Sequence, residues 1–178
     1  MDHRGPGVTG RRREAALHEA AHAVVACLHG LEVQLVSIVP EDGSDGIALH
    51  RNPWHDLPGT PADTLHAALV AAEVSYAGEL AVQAFLGRPG SGNDDDLLQI
   101  TTELQRVCTT REQLLLMARW VEQRVRDRLR EPGVRAAVGA VADALEEEGT
   151  LDRARFHRLV AMELALDTRG RGAIPKRN

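Results

Sequence analysis

The chain has 178 residues, 43% of them hydrophobic and 3% aromatic, and 26 acidic against 21 basic side chains give a formal net charge of −5. That length suits one globular domain with a substantial core, and the acidic balance argues against a nucleic-acid binder. Two cysteines at positions 27 and 108 form neither a disulfide framework nor a Cys-x-x-Cys metal site, which fits a reducing, cytoplasmic setting.

Ala, Leu, Val, Arg and Glu dominate, so helices packed through small and aliphatic side chains are expected and the fold should be mainly α. Residues 1–8 contain two glycines and a proline without an apolar pattern and read as a mobile leader, with order beginning near a Thr9 cap. Arg11, Arg12 and Arg13 follow and must face solvent or an acidic partner, because cations oppose the dipole at a helix start. From Glu14 to Leu28, Leu17, Ala20, Ala21, Val24 and Leu28 recur at helical spacing, predicting a helix with a buried face.

That helix carries His18-Glu19-Ala20-Ala21-His22. Residues four apart share a face, so both imidazoles can reach one tetrahedral Zn²⁺, while Glu19 is offset by about 100° and can approach an activated water from the side. Two histidines and a glutamate on an otherwise apolar helix are costly to bury unless each finds a partner or a metal. The helix should stop at His29-Gly30, and His29 lies too far along a straight helix to reach the same ion.

Leu31 to Pro40 alternates as a strand, a Gly- and Asp-rich turn over 41–46 follows, and Ile47-Ala48-Leu49 returns as a second strand. A β-hairpin beside the HExxH helix can offer an edge to an extended peptide, and the Val33–Val39 run is the expected edge. His50, Trp54 and His55 fall in the connection that ends at Pro61, with no role fixed by pattern. Thr60-Pro61 starts a long helix and Gly87 ends it. Ala67, Val70, Ala71, Val74, Ala77 and Ala81 form a small-residue stripe on it, suited to close packing against the histidine helix. Asp94, Asp95 and Asp96 open the next helix, either as caps and dipole complements or with one of them completing a metal site. Further helices are expected over 109–129, 134–145 and 151–166, followed by a disordered basic tail over 167–178. The apolar stretch Leu65–Leu86 is interrupted by Glu73 and Glu79, so no membrane span is expected.

Several weak motifs occur in one order: His18-Glu-Ala-Ala-His22, Val36-Ser-Ile-Val-Pro40, Ala77-Gly-Glu-Leu-Ala-Val-Gln-Ala-Phe-Leu-Gly87, Asn93-Asp-Asp-Asp-Leu-Leu-Gln-Ile-Thr101 and Ala144-Leu-Glu-Glu-Glu-Gly-Thr-Leu151. In that order they resemble the peptidase domain of the FtsH-type zinc metalloproteases, over residues 9–166. The resemblance implies a helical metallopeptidase domain that cleaves peptides or unfolded proteins, with His18 and His22 as zinc ligands, Glu19 as general base and an aspartate of the 94–96 turn as third ligand. Aligning the motif while keeping Leu97, Ile100, Leu104 and Val107 in phase selects Asp96. Glu73 and Glu79 on the neighbouring helix are the competing third ligands.

Where the family carries an acidic pair, this chain has Val82 and Gln83, a change expected to touch the surroundings of the site. No Gly-x-x-x-x-Gly-Lys-Ser/Thr occurs and Lys176 is the sole lysine, so ATP binding by this chain is not expected. A homo-oligomer and a separate ATPase partner both stay open. The competing functions are a zinc-binding interaction module without turnover and a metal-free helical adaptor.

Overall fold

The computed structural model describes residues 6–40, 46–55, 59–90 and 94–171. In chain order these form α1 (Pro6–Leu28), β1 (Val33–Ser37), β2 (Ile47–His50), α2 (Pro61–Leu86), α3 (Asp94–Gln105), α4 (Arg111–Arg130), α5 (Pro132–Glu148), β3 (Thr150–Asp152) and α6 (Arg153–Arg171). The fold is mainly α with one small antiparallel sheet, as composition requires.

The core is built on α1 and α2. From Ala20 to Ala26 every residue of α1 is buried, because α2 packs on one side of it and α5 on another. Alanines supply most of both contact faces, which lets the helix axes approach closely. All six residues of the expected α2 stripe are buried. α2 is also long and apolar enough to cross a membrane by length and composition, but most of that stretch is covered by neighbouring helices.

Local signals set the ends of α2. Thr60 accepts from the Asp63 amide while the Asp63 carboxylate accepts from the Thr60 amide, Pro61 stands at the first turn, and Gly87 closes the helix in the left-handed region at φ 67°. Thr110 and Gln113 make the same reciprocal cap at the start of α4.

The expected edges of the chain need correction. Helical backbone begins at Pro6 rather than at Thr9, inside the stretch read as a leader, because a first-turn proline has its φ preset and no amide left unpaired. It also continues to Arg171, inside the stretch read as a tail. Residues 1–5 and 172–178 lie outside the described residues, as does most of the expected 41–46 turn. The arginine run has acidic and carbonyl partners on α5. Arg12 donates to the Glu146 carbonyl at 2.8 Å in the last turn of that helix, and Arg13 reaches Asp143 at 2.5 Å and Glu146 at 2.7 Å.

The sheet order is β2-β1-β3. β3 was not legible as a strand, since three residues with only Leu151 buried cannot display alternation. Its presence corrects the peptide-edge expectation. β1 is paired on both sides over Leu35–Ser37, with β2 through Val36↔Ala48 and with β3 through Val36↔Leu151, so the Val33–Val39 run offers no continuous edge. The outer edge of β2 is unpaired among the described residues.

Candidate metal centre

His18 and His22 project from one face of α1 toward the start of α3. Their Nε2 atoms stand 2.9 Å apart, and Asp96 Oδ2 lies 3.0 Å from His18 Nε2 and 3.4 Å from His22 Nε2. Nδ1 of His22 donates to the Val74 carbonyl of α2 at 2.6 Å, which directs the other ring nitrogen, Nε2, at the cluster. Asp96 Oδ2 is buried and makes no hydrogen bond. With His22 Nδ1 donating to Val74, a neutral histidine pair has only the His18 Nε2 proton to offer among these three atoms, whereas a cation could satisfy all three. Every separation is shorter than about 4 Å, twice a zinc–ligand distance, so one ion can reach the three. Among the described residues this is the group that could hold a metal.

α2 makes the approach of these groups possible. A Cβ at Gly78 would stand 2.5 Å from His22 Nε2 and 2.6 Å from His18 Cε1, so the imidazoles rest against bare helix backbone. A second close approach holds Glu19. A Cβ at Gly46 would meet Glu19 Cγ at 2.7 Å and Oε1 at 2.9 Å, placing the carboxylate under the start of β2. Gly46 just before β2, and Ala48 and His50 along it, face the cleft, while Ile47 and Leu49 face solvent.

The charges in the cleft answer one another. Burial would raise the Asp96 carboxyl, but His18 and His22 beside it hold it far below the usual carboxylate range. Burial would lower the His22 imidazole, yet Asp96, Glu19 and the Val74 carbonyl hold it above its ordinary value. Burial pushes the Glu19 carboxyl up against the pull of both imidazoles, with Asp96 adding to the rise. A carboxylate raised in this way is a better proton acceptor at neutral pH than an exposed one.

The other candidate ligands are engaged elsewhere. Glu73 is 1% exposed and accepts from His29 at 2.9 Å and from Arg124 at 2.7 Å, with Arg128 at 3.8 Å. Glu79 accepts from Gln83 and from the Gly90 amide, beyond the cleft. Asp95 is exposed, and the side chain of Asp94 lies outside the described residues. His29 ends its helix as expected, held by Glu73 and not by the cluster.

Two of the four residues expected to share the inward stripe do not: Val107 lies past the end of α3, and Leu97 turns outward. Leu97 is 59% exposed, so it does not share the core stripe. Asp96 faces inward because Ile100 and Leu104, one and two turns on, are buried against α2 and α4. Val82 lies in the core, one turn beyond Gly78 on α2, and Gln83 bridges Glu79 and Arg126.

Several residues were not legible as part of the site. Gly78 could have been found, since a glycine inside an alanine-rich helix costs about 1 kcal/mol and needs a packing reason. Trp54 gains a role that its sequence context did not disclose. Its Nε1 donates to Glu103 of α3 at 2.8 Å and Arg106 stacks over its ring at 4.8 Å, which ties the connection after β2 to the helix that bears Asp96. The chain matches no known family model, and comparison with curated proteins returns no match.

Proposed function

We propose that this chain is a zinc-dependent endopeptidase of the FtsH-like kind without an ATPase half, acting on peptides or unfolded segments in the cytoplasm. The observation that carries the reading is the convergence of His18 Nε2, His22 Nε2 and Asp96 Oδ2 around a buried oxygen that has no hydrogen bond. The resemblance of the ordered motifs to that family is its second support.

His18, His22 and Asp96 would hold the ion, a two-nitrogen, one-oxygen donor set of the kind that catalytic zinc sites use with an open position. Zinc supplies, when bound, a Lewis acid that acidifies water and polarises a carbonyl. The chain's own residues do the rest. Val74 fixes the His22 ring by accepting its Nδ1 proton. Glu19, lifted by burial, takes the proton of the attacking water at its carboxylate and passes it to the leaving amine. An extended peptide pairs with the open edge of β2, where Ala48 and His50 face the cleft.

The experiment is elemental analysis of the purified chain combined with release of new amino termini from an unfolded protein. One zinc per chain is expected, with cleavage lost on chelation and restored by added zinc. A chain that takes up no zinc, or that cleaves equally well with chelator present, contradicts the proposal.

A further inference from the structure

A second cleft of about 550 Å³ opens beside the C-terminal end of α2. Its α2 residues begin past Ser75 of the first cleft, and Gln83 stands about two turns, roughly 12 Å, further along the helix. The volume is in the range that small-molecule sites occupy. Leu80 and Leu129 give it an apolar floor, and four arginines line it: Arg88 after α2, Arg126 and Arg130 on the last turns of α4, and Arg135 on α5. No carboxylate is among its lining residues. In a chain with more acidic than basic side chains, four guanidiniums around one cleft are a concentration of charge that calls for a reason.

Arginines at helix C-termini ordinarily satisfy terminal carbonyls and complement the dipole, and part of the cluster does so. Arg135 donates to the Ala84 carbonyl at 3.3 Å and lies 4.3 Å over the Phe85 ring, and Arg88 donates to the Pro89 carbonyl at 3.1 Å. Three pair with carboxylates outside the lining: Arg88 with Glu14 at 2.7 Å, Arg126 with Glu122 at 2.8 Å and Arg130 with Asp127 at 2.8 Å. Arg126 also donates to Gln83 at 3.2 Å. These contacts leave donors over. A guanidinium presents five N–H groups in a fixed fork, and Arg130 and Arg135 each commit one nitrogen.

We propose that this cleft binds a small phosphate monoester, its phosphate taken by the forks of Arg130 and Arg135 and its organic part resting on Leu80 and Leu129. Guanidinium forks match phosphate geometry bidentately, and a phosphate brings up to two charges and three acceptor oxygens to several cations, where a carboxylate brings one charge and two oxygens. The site is independent of the peptidase reading, since none of its residues touches the metal cluster.

The test titrates the whole chain with phenyl phosphate, inorganic phosphate and benzoate at constant ionic strength, following the Gly87 and Leu129 amides and the arginine Nε–H signals by NMR. Phenyl phosphate should give saturable shifts confined to this cleft and bind at least about tenfold more tightly than benzoate. The double variant R130Q/R135Q, altered at two exposed positions, should keep its fold and zinc content and lose that binding at least tenfold. Shifts that rise linearly and spread over all surface arginines mean solvated side chains and overturn the proposal. Benzoate binding as tightly as phenyl phosphate overturns the phosphate assignment, and unchanged binding by the double variant overturns the residue assignment.

Discussion

Asp96 is the residue on which the proposed donor set turns. It comes from a different helix than the histidines, and its buried Oδ2 has both ring nitrogens close by and no hydrogen bond. Asp96→Asn exchanges an anionic donor for a neutral amide of equal size, so zinc affinity should fall at least about 10- to 100-fold, the loss that follows even from disturbing a supporting group. Asp95→Asn, on an exposed side chain at the helix start, should leave affinity unchanged and cost about 1 kcal/mol of stability or less. Competition against a chromogenic chelator measures both. Equal affinities in Asp96→Asn and wild type would remove Asp96 from the ligand set. Glu73 bears on pH rather than on metal. Burial would raise its carboxyl, but His29, Arg124 and Arg128 hold it below its ordinary value. A depressed carboxyl contributes stability that is present above its unfolded pKa, near 4.3, and is lost as pH falls through the lower folded value. Urea unfolding of wild type and Glu73→Gln should therefore differ most near neutral pH, with the gap narrowing as pH falls below about 4.3 and closing only below the depressed folded value. A gap that stays constant down to pH 3 would show that Glu73 carries no such linkage.

Between elements, the decisive contact is that of α2 with α1 at Gly78. Replacing an interior helical glycine by alanine ordinarily stabilises by about 1 kcal/mol. Here the added methyl would stand within 2.7 Å of ring atoms of both histidines, and rings cannot yield as a flexible chain end does. Gly78→Ala should displace the imidazoles and weaken zinc binding while the helix itself gains propensity, and calorimetric zinc titration reads the difference. Undiminished affinity with raised stability would mean that the rings have room to move. The elements differ in how plainly the sequence announces them. α2 was legible to the residue, because Thr60, Pro61, Asp63 and Gly87 each act through a few neighbouring atoms. β3 was not, because Thr150–Asp152 is held by tertiary pairing with β1, including the Ser37 and Thr150 hydroxyls at 2.7 Å, which no local pattern encodes. The histidine pair was legible from its four-residue spacing. Gly46 and Val74 were not, since each reaches the cleft from an element whose position depends on the packing of the whole chain, and the tie of Trp54 to Glu103 is likewise tertiary.

At the scale of the molecule, the cluster joins the first helix to α3 across the face of α2. A metal held there links segments far apart in the chain and stabilises the folded form in proportion to its occupancy. At a free concentration about 1,000 times Kd the gain is about 4 kcal/mol. For a chain of this size that corresponds to roughly 8–16 °C in melting temperature. Chelator should lower the midpoint by that order in wild type and by little in a variant lacking both His18 and His22, as differential scanning calorimetry can read. Equal shifts in the two would place the stabilising metal elsewhere. The central claim is that Glu19 moves protons beside a bound zinc to cut peptide bonds. Glu19→Gln keeps the shape of the side chain and leaves His18, His22 and Asp96 in place, so it separates metal binding from turnover. The measurement is the rate of new amino-terminus release from an unfolded protein, for wild type and Glu19→Gln, each loaded with one zinc per chain. Wild type should cleave, and the variant should be slower by about 10²- to 10⁴-fold at equal zinc content. Equal rates in the two, or no cleavage by the zinc-loaded wild type, would contradict the claim.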